Sequence, residues 1–267
     1  MRIAVNHVTT YRYQRPVRGV VQSHRLTPSA FDGQRVLSWE VTVSGGLKGG
    51  GFRDGAGDWV QGWTVRGPVS EIEVRVAGVV ETQDLAGVLC GHRELVPPEA
   101  WLRETGPTRA DAALSAMGKA VAGAQDALGA AHELAAAVAE AIAYKPGSTH
   151  AHTTAAEAMA QGEGVCQDHA HALIAAARVA GLPARYVAGY LMSGEDEAEA
   201  AHAWAEIHVA GLGWVGFDAA NRCCPDARYV RLGSGLDARD AAPIKGTARG
   251  AGEEHLEVTV AVGSAQQ

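Results

Sequence analysis

The chain is predicted to be α+β, with an antiparallel β region in front of a mixed helix–strand region. Three observations predict it. Over roughly the first 85 residues, "RIAVNHVTTYRY", "RVLSWEVTVSG" and "EIEVRVAGVVETQ" alternate apolar with polar side chains, the period-2 pattern of half-buried strands. After Pro97 and Pro98 the texture becomes alanine-rich, with the composition and spacing of helices. Beyond residue 184 strand-like runs return.

In order along the chain, "SGGLKGGGFRDGAGD" separates the early strands and reads as an exposed turn or loop. "DAALSAMGKAVAG" and "AAHELAAAVAEAIAY" read as two helices, and "YKPGSTHAHT" as a loop. "TTAAEAMAQ" reads as a short helix capped by Thr153 or Thr154. A further helix opens at Cys166 and is stopped by Gly181 and Pro183. "ARYVAGYLM", "HAWAEIHVA", "WVGFDAA" and "HLEVTVAV" then read as strands, the last able to return to either sheet. The expected division is a β-rich domain at 1–95, a helix–strand domain at 96–250 and a strand with its tail at 251–267.

A hydrophobic content of 47% in 267 residues excludes a largely disordered chain. A net charge of −7 with no strong Lys/Arg cluster argues against nucleic acid as a partner. The start has no apolar signal region, and no apolar run approaches bilayer length, so no membrane partner and a cytoplasmic location are expected. Cys90, Cys166, Cys223 and Cys224 make no disulfide framework and no C-x-x-C metal pattern.

Three residues carry the candidate chemistry: Cys166 at a helix start, His202 at a strand start and Asp218 at a strand end. Thiol acyl transfer needs these types. The thiolate attacks, a neighbouring imidazolium and a helix N-terminus stabilise it, and a carboxylate orients the histidine. Residue types alone leave open the other reading, in which Cys166 is inert packing. In the expected 202–218 hairpin, a Gly211–Gly213 loop pairs 210 with 214 and sets 218 opposite 206. That is four residues from His202, so a bulge, a longer loop or strong twist would have to close the gap.

The words around these residues resemble the bacterial branch of the transglutaminase-like superfamily. The likeness rests on "GVCQDHAHALIAAARVAGLPARYVAGYL", "AHAWAEIHVAGLGWVGFDAAN" and "DARYVRLGSGLDARDAAPIKGTARG", with "HVTTYRYQRPV" and "RLTPSAFDGQRVLSWEVTV" in the N-terminal β region. It implies a papain-like transglutaminase core behind an N-terminal antiparallel β domain, with Cys166 as nucleophile, His202 as base and Asp218 as orienting carboxylate. The usual Asp-Pro-Thr-Asn is here Asp218-Ala219-Ala220-Asn221. The implied activity is acyl transfer on peptide or protein amides through a thioester, with hydrolysis favoured, since members are commonly regarded as cysteine proteases. Glutamine-directed amine transfer and a non-catalytic peptide-binding module are the alternatives. No cofactor is expected, and no acidic loop of EF-hand spacing suggests calcium.

The neighbours have plainer readings. Asp168 is read as complementing the helix dipole, with a catalytic role as the alternative. Trp204 and Trp214 are core or cleft-wall aromatics, with one of them a candidate shield for the ion pair. His169 and His171 lie on different helix faces and cannot chelate one ion together, and His150 with His152 lacks a third ligand, so no metal is assigned. Cys223 and Cys224 are read as incidental or packed, without a vicinal disulfide. Tyr144 is read as packing on the core, with an oxyanion contact as the alternative. The acidic run "SGEDEAEA" at 193–200 is a candidate flap for substrate choice.

Overall fold

The computed structural model describes residues 1–192, 201–250 and 252–265. Strands β1 (Arg2–His24), β2 (Gln34–Val43), β3 (Gly46–Arg53) and β4 (Trp59–Thr82) build the N-terminal sheet. β1 and β4 run antiparallel from Arg2 opposite Glu81 to His24 opposite Gln61, with irregularities between Arg12 and Gly19. Ile3 faces Val80, His7 faces Val76 and Thr9 faces Val74 across this ladder, all buried. This is the period-2 alternation read in the sequence. β3 corrects that reading, because the glycine-rich stretch taken as a loop pairs with β4 from Gly46 to Arg53. Glycine shows no alternation, so the pattern was blank there. The close approach demands it: a Cβ on Gly51 would stand 2.4 Å from the Trp59 ring.

A 3-10 turn at Pro98–Leu102 leads into α1 (Ala112–Val121) and α2 (Ala127–Ala141), capped by Asp111 and Asp126 through the amides of Leu114 and Gly129. β5 (Ala143–Tyr144) then precedes α3 (Ala155–Gln161), which Thr154 opens with a reciprocal bond to Glu157. β6 (Glu163–Gly164) pairs parallel with β5 and delivers the chain to α4 (Cys166–Val179). Every residue of α4 from Asp168 to Ala177 is buried, so its alanines let neighbours approach on all sides. Among the described residues no helix is long and apolar enough to cross a membrane.

β7 (Ala184–Leu191), β8 (Ala201–Val209), β9 (Gly213–Phe217) and β10 (Tyr229–Gly235) form an antiparallel sheet in the order β10-β7-β8-β9. Ala203, Ala205 and Ile207 of β8 join Leu173 and Ile174 of α4 in one core, while Trp204 packs in a separate cluster with Val187 and Tyr229. β11 (Ile244–Ala248) and β12 (Glu254–Ser264) return to the N-terminal sheet, where both pair with β1. The strand read in "HLEVTVAV" is β12; β10 and β11 escaped the reading. "YVRLGSG" and "IKGTA" have too few alternating apolar positions to signal a strand.

Buried charge joins the two regions. Arg231 of β10 bonds Glu206 of β8 and, through Nη1, the Oδ1 of Asp58, both at 2.8 Å. Arg185 of β7 holds the other Glu206 oxygen at 2.7 Å and pairs with Glu94. Its guanidinium lies 3.9 Å from the centre of the Trp214 ring.

Candidate active site

Cys166 is the first residue of α4, at the helix end where the leading backbone amides have no partner one turn earlier in the helix. Its place is set by a polar brace beneath it. Asp168 Oδ2 accepts from the Val165 amide at 2.8 Å and from Thr149 Oγ1 at 2.5 Å. His169 ties the helix to the C-terminal end of α2, its ring nitrogens each 2.9 Å from the carbonyls of Val165 and Ile142. A Cβ on Gly164 would stand 2.8 Å from the Asp168 Cβ, so the turn into the helix depends on that glycine. Asp168 therefore does more than complement the dipole: it caps the thiol-bearing turn.

His202 and Asp218 meet at the other wall. The hairpin register pairs Val209 with Gly213 and Ala205 with Phe217, which carries Asp218 to the position opposite 204. The expected pairing of 210 with 214 is thus corrected by a two-residue slip. His202 then lies diagonal to Asp218 on the same face, within side-chain reach. No bulge is needed. His202 Nε2 is 2.6 Å from Asp218 Oδ2. Cys166 also acts on this ring, joining Asp218 in raising the His202 pKa.

Burial works against charge on both partners, and pairing overcomes it. For His202, hydrogen bonds and charge from Asp218 and Cys166 outweigh desolvation and raise its pKa to about 10. For Asp218, the His202 hydrogen bond and charge, with Asn221 and Tyr229, hold the carboxyl below its ordinary value despite burial. An imidazolium–carboxylate pair facing a thiol can stabilise a thiolate and keep a proton ready for a leaving group.

Four neighbours complete the site, and the sequence pointed to one of them. Trp204, a candidate shield, stacks on His202 with ring centres 6.4 Å apart and planes at 25°. It lies flat because Gly189 leaves room: a Cβ there would meet the far edge of the indole at 2.7 Å. Asn221 donates its backbone amide to Asp218 Oδ1 at 3.2 Å and its side-chain amide to Oδ2 at 2.8 Å. Tyr229 donates to Oδ2 at 2.8 Å. The retained fourth letter of the Asp-x-x-Asn motif was the available signal for Asn221; Gly189 and Tyr229 carry none, since β7 and β10 bring them in from elsewhere.

The remaining candidates lie apart from this chemistry. Trp214 packs against Trp101 and Arg185. Burial lowers His171 to about 4, and its Nε2 accepts from the Ala238 amide at 3.0 Å. His152 contacts Arg239. Among the described residues no cluster of His, Cys, Asp and Glu is arranged for a metal. Tyr144, read as packing on the core, is exposed, its ring 6.3 Å from that of His169. Cys223 and Cys224 are free thiols, both raised by burial. The acidic run at 193–200 lies outside the described residues.

A helix-borne thiol packed against an antiparallel sheet carrying His and Asp defines a papain-like α+β protein. The chain belongs to the transglutaminase-like superfamily: residues 115–219 match the transglutaminase-like superfamily core, and residues 3–81 the bacterial transglutaminase-like N-terminal region. It is 29% identical to an uncharacterised protein of Mycobacterium leprae over 98% of both chains. With an uncharacterised protein of Mycobacterium tuberculosis it shares 39% identity over 114 residues, 39% of this chain and 36% of that one. Among solved structures it resembles a "putative cysteine protease" from Cytophaga hutchinsonii, with a TM-score of 0.75 and 20% identity, over 100% of this chain and 91% of the other. At that identity the likeness shows the fold.

Proposed function

We propose that the chain is a thiol-dependent acyl-transfer enzyme that hydrolyses peptide or protein amides through Cys166, His202 and Asp218. The observation that carries this is the 2.6 Å His202–Asp218 pair, with Cys166 at the start of α4 near enough to raise the pKa of the same imidazole. The Cys166 sulfur attacks the amide carbonyl and a C–S bond forms. First-turn amides of α4 face the developing oxyanion. The C–N bond then breaks as His202 passes its proton to the leaving amine, which leaves a thioester. His202, now neutral, takes a proton from water; the water oxygen attacks, the C–S bond breaks and the carboxylic acid departs.

Mass spectrometry on a peptide library, with and without an added primary amine, tests the reading. Shortened peptides are expected, and Cys166→Ala should abolish them together with labelling of that position by a thiol-directed electrophile. Amine adducts would identify transfer to amines instead, and retention of unmodified peptide would identify a binding module.

A further inference from the structure

Tyr229 stands where no motif placed it. It opens β10 and is nearly buried, at 5% exposure. Its ring meets Trp204 edge-on at 5.5 Å, and Cys223 Sγ lies 3.3 Å from its hydroxyl. The hydroxyl donates to Asp218 Oδ2, the oxygen that also receives His202 Nε2 and the Asn221 side chain. The backbone of Asp218 is clipped from behind by paired bonds with Cys223 at 2.8 and 3.1 Å. The carboxylate is thus fixed at its main chain and at both oxygens.

We propose that Tyr229 is a positioning residue for this site, holding the Asp218 carboxylate ionised and aimed at His202; this rests on the acyl-transfer reading above. Burial and the Asp218 charge push the phenol far above its ordinary value, so it remains a donor at every working pH. A donor on Oδ2 favours the charged carboxylate. The titratable groups facing Asp218 are His202 from β8, Tyr229 from β10 and Cys223 from the turn after β9, while Asp226 and Arg228 act on Cys223. With Tyr229 gone, Asp218 takes a proton at higher pH. A neutral carboxyl no longer offsets the desolvation of His202, and the imidazolium that sustains the thiolate is lost.

The test follows alkylation of Cys166 by iodoacetamide in the full chain, read from the mass of its peptide between pH 4 and pH 9. The wild type is expected to stay reactive well below the ordinary thiol range. Tyr229→Phe keeps the ring packed. Its acidic limb should move up by about one pH unit, so that alkylation slows toward pH 4, by up to about tenfold, with an unchanged rate at pH 8.5. Asn221→Ala removes another donor from the same oxygen and should shift the limb in the same direction. Cys223→Ala leaves the phenol–carboxylate bond in place and should keep the wild-type limb. An unmoved limb in Tyr229→Phe or Asn221→Ala overturns the proposal, as does a Cys223→Ala shift of equal size or a uniform rate loss at all pH values. A wild-type Cys166 that alkylates only around pH 8.5, as an ordinary thiol does, overturns the acyl-transfer reading itself and this proposal with it.

Discussion

Gly189 lacks a side chain because Trp204 and the backbone of Val230 fill the space one would need. Gly189→Ala would put its Cβ 2.2 Å from the Val230 carbonyl oxygen, so the indole or β10 must move. The substitution is expected to cost about 1–3 kcal/mol in urea unfolding and to slow Cys166 alkylation as Trp204 leaves His202. The His202 pair adds a pH dependence with a definite sign. Its pKa is raised from 6.5 to about 10 in the folded chain, so its contribution is full below 6.5 and fades as pH rises through 10. Asp218, held low, contributes above its ordinary value and loses that as pH falls through its depressed one. The urea midpoint is therefore expected to fall between pH 7 and pH 10, and His202→Gln to flatten that slope. Cys166, His202 and Asp218 were legible because each sits in a local word of residues. Tyr229 and Gly189 were not, because they act on Asp218 and Trp204 from strands whose neighbours are known only once the sheet is assembled.

At the scale of elements, the hairpin of β8 and β9 had its parity legible in the sequence but not its register. The expected and the observed turn both place 202 and 218 on one face; which pair closes the turn depends on Gly213, which at φ 90° begins β9 rather than ending the loop. The glycine-rich β3 was illegible for a related reason, since its pairing uses backbone alone. Beneath the sheet, the Arg231–Glu206–Arg185 chain with Asp58 could not be read, because its members lie up to 173 residues apart in sequence. Each is too common a residue type to signal burial. Removing one member strands the rest. Arg231→Met leaves Asp58 and Glu206 buried with less compensating charge, and a loss of about 3–5 kcal/mol is expected in denaturant unfolding.

For the whole molecule, the charge network ties the N-terminal region to the thiol-bearing region through Ser29 and Asp58. A fragment of residues 96–250 would lack Ser29 and Asp58, the partners of Arg231 Nη1 at 2.6 and 2.8 Å. It is expected to show no cooperative thermal transition, while the full chain melts in a single step by calorimetry. The α+β plan was legible from the change of texture after Pro98, but the return of β11 and β12 to β1 was not, since a strand's pattern does not name its partner. That return has a consequence for biosynthesis. One side of β1 pairs with residues 244–248 and 254–264, strands synthesised long after it. Until they emerge, β1 carries a long open edge on the nascent chain, ready to pair with any extended chain nearby. Guarding that edge against premature partners falls to whatever meets the polypeptide at the tunnel exit.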